Sequence, residues 1–298
     1  MAEVFGGRAG RGDDAGWDRA AVRLPPRRSS FVGRAAEMGE VAARLGRYAV
    51  VTLVGVGGVG KTAVAVEAAW IEVSAGRAEL ACYVDLVPCR TDDQVVAALV
   101  EGVGIRGAQA AAGLDAVAGA VSGRRSLLVI DNCEHVLESA RRACDRLAGR
   151  AAGLRLLVTS RIPLDVEPEC VWRVPPMAGP LVVTEAVTLF FARAAMAGVT
   201  LQAGPAEVGL AGSICRQAGG LPLAIELVAN GLRVASLTEL AEGLGSSGWP
   251  ARSAGRGRHD SLDACLSWSH ALLSADAAVV FRRLSVFPGV GAHLIPRV

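Results

Sequence analysis

Apolar residues along the chain fall into two patterns. Short runs rich in Val and Leu occur at residues 50–54, 79–87, 127–130 and 154–160, of which 127–130 is unbroken. Each is bounded by glycine, proline or an acid, which predicts strands buried on both faces rather than amphipathic ones. Stretches with helical spacing precede and separate them: residues 35–45, where Met38, Val41, Ala42 and Leu45 share a face, then 63–71, 92–103 and 134–147. Strand and helix alternate, so the pattern predicts an α/β domain with a parallel sheet. Residues 170–174 read as a short edge strand, ended by Pro175-Pro176.

From residue 183 the pattern is wholly helical, with helices expected at 184–196, 205–218, 223–234 and 237–244. Gly219-Gly220 stops one of them and Pro222 sits near the first position of the next. Residues 245–258 are rich in Gly, Ser and Arg, and 261–270 and 275–284 carry the apolar pattern of a winged-helix or helix-turn-helix segment. At the other end, residues 1–28 lack hydrophobic periodicity and finish in Leu24-Pro25-Pro26-Arg27-Arg28. The expected organisation is a disordered arm (1–28), a nucleotide-binding domain (29–180), a helical domain (181–245), a linker (246–258) and a partial winged helix (259–298).

The first strand runs into Gly55-x-x-x-x-Gly60-Lys61-Thr62, the Walker A spacing. Glycines let backbone N–H groups turn inward around a polyphosphate, the lysine neutralises its charge, and the threonine hydroxyl ligates Mg²⁺. The helix that follows would aim its positive end at the phosphates. Lysine and arginine together number 31, and Lys61 is the only lysine. A slim point charge beside a β/γ-phosphate is replaced poorly by a planar guanidinium. The strand 127–130 delivers Asp131 at its carboxyl end, the Walker B arrangement, in which a carboxylate holds Mg²⁺ or its water and is expected on the strand beside the P-loop strand. Because residue 132 is Asn, Glu134 is the nearby acid able to polarise water. The same glutamate is equally well read as a solvated carboxylate in the first turn of a helix over 134–147. Arg161, at the end of the strand 154–160, is placed to meet a γ-phosphate or to bond local carbonyls.

Composition narrows the classes. The chain of 298 residues is 52% hydrophobic and 4% aromatic, enough core material for about two domains. A net charge of +2 marks neither a nucleic-acid nor an acidic partner. No long uncharged apolar run and no signal-like N-terminus is present, so a soluble cytoplasmic protein without membrane contact is expected. Seven cysteines without paired C-x-x-C spacing fit reduced thiols, and Cys133 and His135 read as packing and surface residues rather than a zinc site.

Taken in order, the segments Ser29–Arg34 (SSFVGR), GVGGVGKT, LLVIDNCEH, LLVTSR, GGLPLAIEL and LSWSHALLSADAAVVFRRLSVFPG resemble the signal-transduction ATPases with numerous domains, in particular the NB-ARC-like core of bacterial AfsR-type and large LuxR-type regulators. The resemblance implies that Val32 and Arg34 lie near an adenine, that the loop Gly55, Gly57, Gly58, Val59, Gly60, Lys61, Thr62 and Ala63 wraps the phosphates, that Arg161 senses the γ-phosphate, and that Pro222 packs against the nucleotide. Thr62 and Asp131 would hold the metal, and Lys61, Asp131, Glu134 and Arg161 would act in hydrolysis. It further implies ATP and ADP favouring different arrangements, with a protein partner or self-association as output. Three functions follow: a slowly hydrolysing ATP switch, a non-hydrolysing nucleotide-binding interaction module, or a P-loop kinase.

Overall fold

The computed structural model describes residues 22–27, 31–177, 183–246 and 275–284. Most of the expected arm, the linker at 247–258 and the helix expected at 261–270 lie outside the described residues. The strands are β1 (Val22–Arg23), β2 (Val50–Val54), β3 (Leu80–Asp85), β4 (Ser126–Asp131), β5 (Leu154–Ser160) and β6 (Glu169–Arg173). The helices are α1 (Ala35–Leu45), α2 (Lys61–Ser74), α3 (Asp92–Val103), α4 (Leu114–Val121), α5 (Leu137–Arg150), α6 (Val183–Met196), α7 (Pro205–Gln217), α8 (Pro222–Gly231), α9 (Leu237–Ser246) and α10 (Ala275–Leu284).

The six strands form one sheet in the order β1-β3-β4-β5-β2-β6, and β1–β3, β3–β4 and β4–β5 pair in parallel. Every residue of β2 and β4 is buried, as their apolar runs require when helices cover both faces. The strand carrying Asp131 is not the neighbour of the P-loop strand: β5 lies between β4 and β2. A hydrophobic run reports burial but carries no information about strand order, which is why the sequence expectation differs.

The chain divides into two compact units. The first comprises residues up to 26, Arg44–Thr52 and Ala68–Cys170. Its core joins Leu128, Ile130, Leu156 and Val158 of the sheet to Leu99, Val117, Val121 and Leu147 of α3, α4 and α5. Thr91 caps α3, its side chain accepting from Gln94 N at 3.3 Å, and Gly104, at φ 87, ends it. The second unit comprises Arg27–Ala43, Leu53–Glu67 and the chain from Val171 onward. There α6 packs on α7 and α8, and α7 on α9, around Phe190, Ile214, Leu221 and Ile225, all fully buried.

Two local expectations are corrected. Residues 22–27 are not an unstructured arm. Val22 and Arg23 pair with Ala81 and Cys82, Trp70 Nε1 donates to Pro25 O at 2.9 Å, and Arg27 bonds the Glu67 carboxylate. These partners come from distant segments and leave no local periodicity. Residues 134–147 are not one helix either. Asn132 adopts φ 62, a 3₁₀ turn spans Cys133–His135, and α5 starts only at Leu137, after Val136 at φ −128 and ψ 38. Glu134 therefore sits in the turn, not on the first turn of α5.

Candidate functional site

In the second unit, β2 ends at Val54 and the chain turns through the glycine loop into α2. Gly58 and Gly60 have φ of 76 and 94, backbone that residues with a Cβ adopt only under strain. A Cβ on Gly55 would lie 3.0 Å from Val59 Cγ1. Helix α2 starts at Lys61, directly after the loop, so its first N–H groups face the turn. Lys61 Nζ donates to Gly55 O at 2.8 Å and to Val56 O at 3.2 Å. The ammonium is thereby folded over the loop, bonded to carbonyls that a phosphate oxygen can replace. Glycine dihedrals, helix start and ammonium position together fit a polyphosphate.

The same loop is held from two other segments of this unit. Leu223 N donates to Gly58 O at 3.2 Å, and Pro222 Cγ lies 3.7 Å from where a Cβ on Gly60 would be. Arg34 Nη2 donates to Val59 O at 2.7 Å, while Arg34 N donates to Glu185 Oε1 at 3.0 Å. Gly33 and Arg34 have φ of 70 and 62, and a Cβ on Gly33 would meet Glu185 Cδ at 2.6 Å. Non-glycine backbone in the left-handed region persists only where surrounding bonds impose it. Burial lowers the Arg34 pKa from its ordinary value, opposed by the charges of Glu37 and Glu185. A cavity of about 50 Å³ is lined by Val32, Arg34, Gly60, Ala63 and Pro222 with Arg193 among others. Five residues singled out in the sequence thus share one cavity. It has the size for a few waters at most, so an adenine there requires α8 or the 31–34 segment to yield.

In the first unit, parallel register sets Asp85 beside Asp131 at the carboxyl ends of β3 and β4. Asp131 is fully buried, and its carboxylate is heavily bonded. Tyr83 Oη donates to Oδ2 at 2.7 Å, Asn132 Nδ2 to Oδ2 at 3.0 Å, and Thr159 Oγ1 to Oδ1. Asn132 Nδ2 also reaches Asp85 Oδ1 at 3.1 Å, and Asn132 N donates to Thr159 Oγ1 at 3.0 Å. A buried carboxylate needs such donors, because an unpaired charge in the interior costs several kcal/mol, of the order of about 3–5. Glu134 and Arg161 are brought together: Arg161 Nε donates to Glu134 Oε1 at 3.1 Å. The other oxygen, Oε2, is buried and has no hydrogen-bond partner among the described residues. His135 Nε2, facing two carbonyls, donates to Leu86 O and Cys89 O at 2.9 and 3.1 Å, which ties the turn after Asp131 to the loop after β3.

Sequence reasoning did not single out Tyr83, Asp85 or the structural part of His135. Their signal is positional: Tyr83 is two residues before the end of a strand whose last residue pairs with Asp131, legible only once β3 and β4 are known to be neighbours. Among the described residues no group of three metal-ligating side chains stands together, and no helix is long and apolar enough to cross a membrane.

Solved structures share this architecture. One is the Pyrococcus horikoshii signal transduction ATPase with numerous domains that carries a tetratricopeptide repeat sensor, at a TM-score of 0.56 and 16% identity, over 91% of this chain and 37% of that one. The fold is that of the P-loop ATPases. No family model matches the chain. Among curated proteins it is 37% identical over 250 residues to Rv0890c of Mycobacterium tuberculosis, which carries the name of an HTH-type transcriptional regulator; the match takes in 83% of this chain. The chain spans 28% of that relative's length. It is also 33% identical over 272 residues to Rv0894 of the same organism, an uncharacterised protein, over 88% of this chain and 66% of the relative.

Proposed function

We propose that this chain is the nucleotide-binding core of a regulatory switch that takes up ATP or ADP with Mg²⁺, hydrolyses ATP slowly, and acts in the cytoplasm on a protein partner or on a second copy of itself. The observation that carries the reading is the bond from Leu223 N to Gly58 O. The first turn of α8 thus bonds a carbonyl of the same loop whose N–H groups would take a phosphate, so nucleotide and helical segment act on one turn. A ligand shifts such an equilibrium only by its differential affinity for the two arrangements. A γ-phosphate that displaces Leu223 or Pro222 would supply that difference.

The phosphate-binding part falls to Gly58, Gly60, Lys61 and Thr62, with Val32, Arg34, Ala63 and Pro222 toward the base. The assignment of Mg²⁺ to Thr62 and Asp131 rests on their chemistry, a hydroxyl and a carboxylate, both oxygen donors of the kind the ion takes. When bound, the ion neutralises charge on the phosphate oxygens. Lys61 and Arg161 add positive charge to the transferred group. Kinship with a regulator supports the regulatory role, and the NB-ARC and AfsR/LuxR-type assignment is part of the same proposal.

A non-hydrolysing binding module is the second reading, favoured by the acid side. Asn132 uses its amide to bridge Asp131 and Asp85, and Arg161 holds Glu134 Oε1 in an ion pair, which makes that carboxylate a weaker acceptor of a proton from water. The test is calorimetric titration of the purified protein with ADP and ATP in Mg²⁺, followed by turnover of wild type and Lys61→Ala. Uptake of either nucleotide with turnover lost in the variant supports the switch. Tight ADP without turnover supports the module, and absence of uptake sinks both.

A further inference from the structure

The edge of the first unit opposite the acids carries a second feature. There four strands each have an arginine at or just ahead of their start: Arg77 before β3, Arg125 before β4, Arg155 as the second residue of β5, and Arg47 before β2. Because the sheet order is β3-β4-β5-β2 across this stretch, they form a row with one arginine per strand. Adjacent strands lie about 4.7–4.9 Å apart, so the row extends over roughly 15 Å. A cavity of about 200 Å³ opens on it, lined by Arg77, Arg125 and Arg155 together with Glu72, Gly46 and Gly153 among others.

We infer that this row binds the phosphate backbone of a nucleic acid. The acids at the rim are already engaged. Arg77 holds Glu72 through Nε and Nη2 at 2.9 and 2.7 Å, and Arg125 holds Glu79 through Nε and Nη2 at 3.1 and 2.6 Å. Arg155 uses Nε on Leu45 O and Nη1 on Leu154 O. Among the described residues, Nη1 of Arg77, Nη1 of Arg125 and Nη2 of Arg155 make no hydrogen bond. The side chains of Arg77 and Arg125 are 52% and 62% exposed. A carboxylate is satisfied by a single guanidinium edge, as Glu72 and Glu79 illustrate. Several separate guanidiniums turned on one space suit a phosphate, whose oxygens accept from different directions. A nucleic-acid strand presents a phosphate about every 3.4 Å of its axis, which matches a row longer than one anion needs. Backbone contact of this kind gives affinity without sequence preference.

The inference is independent of the nucleotide reading and uses none of its residues. It is tested with the full chain and a labelled mixed-sequence duplex, by fluorescence anisotropy from about 50 to 200 mM salt, the range over which phosphate contacts lose affinity steeply. Wild type is expected to bind with a steep salt dependence. Arg47→Ala and Arg125→Ala are each expected to weaken binding several-fold and to reduce the log–log salt slope by about 1. Both are exposed and belong to the first unit, whereas the glycine loop belongs to the second, so ADP uptake stays at the wild-type level. The inference is overturned by absence of binding at the lowest salt, by variants that bind as wild type does, by a polyglutamate peptide that competes as well as DNA at equal charge, or by complete competition from millimolar inorganic phosphate.

Discussion

Tyr83 Oη and Asp131 Oδ2 are 2.7 Å apart across two neighbouring parallel strands. The phenol fixes one oxygen of a fully buried carboxylate while Thr159 fixes the other. A hydrogen bond to a charged group contributes about 1.5–3 kcal/mol, and in Tyr83→Phe the remaining donors Asn132 and Thr159 offset part of the loss. The variant is therefore expected to fold and to bind ADP unchanged without metal, while the additional affinity conferred by Mg²⁺ falls about 10-fold. Titrations with Mg²⁺ and with EDTA check this, and an equal loss in both would assign Tyr83 a purely structural part.

Lys61→Ala removes a half-buried side chain whose bonds go to Gly55 O and Val56 O of the loop. Stability should fall by about 1 kcal/mol, since a half-buried polar group is lost rather than an apolar core one. Nucleotide affinity should drop about 10- to 100-fold, the equivalent of a charge-assisted bond. Lys61→Arg should not restore it, because a planar fork does not fit the lysine's place over the loop. Chemical denaturation beside calorimetry separates the two effects.

Gly33→Ala introduces a methyl group 2.6 Å from Glu185 Cδ at a backbone φ of 70. Left-handed backbone alone costs an alanine about 1–2 kcal/mol. The variant should lose at least that in denaturant stability and also loosen the neighbouring Arg34. Glu185→Ala in the same chain should recover only part of the steric cost, because Glu185 Cβ itself lies 2.9 Å from the added methyl group, and should leave the dihedral strain, so a full recovery in the double variant would count against the mechanism.

Burial pushes the thiols of Cys144 and Cys215 up to about 12 and that of Cys82 up to about 11, from an ordinary 9.0. The unfolded chain loses these protons above its ordinary pKa while the folded chain keeps them. With fewer protons on the unfolded state, stability falls as pH rises. Stability should be unaffected by these groups below about pH 9 and decline between pH 9 and 12. Urea midpoints at pH 8 and pH 10 check the direction. In the native protein the same thiols should react slowly with a thiol reagent at pH 8, with partly exposed Cys170 reacting ahead of them.

Much of the site is legible in the order of residues. The spacing Gly55 to Thr62 states its own chemistry, because glycine adopts the dihedrals found at 58 and 60 without strain and a lysine gives the compact cation at 61. Asp131 is readable as the end of an apolar strand. Glu134 is legible as an acid but not as the partner of Arg161, since the turn Cys133–His135 depends on Asn132 entering the left-handed region, which Asn tolerates without demanding. Helix α4 goes unmarked because its small residues give a weak period, and Val117 and Val121, both fully buried, join it to the core together with Ala118 and Ala120.

The sequence alone determined the glycine loop and most of the elements, though not β1 or α4, because glycine dihedrals, hydrophobic period and a single lysine are local properties that no distant residue needs to supply. Tertiary structure alone decided which strands are neighbours. That ordering places β5 between the loop strand and the acid strand, sets Tyr83 on Asp131, and gathers arginines 47, 77, 125 and 155 into a row. A net charge of +2 averages over the whole chain, and charge acts through local separation, so four scattered arginines become a surface only when the sheet aligns them.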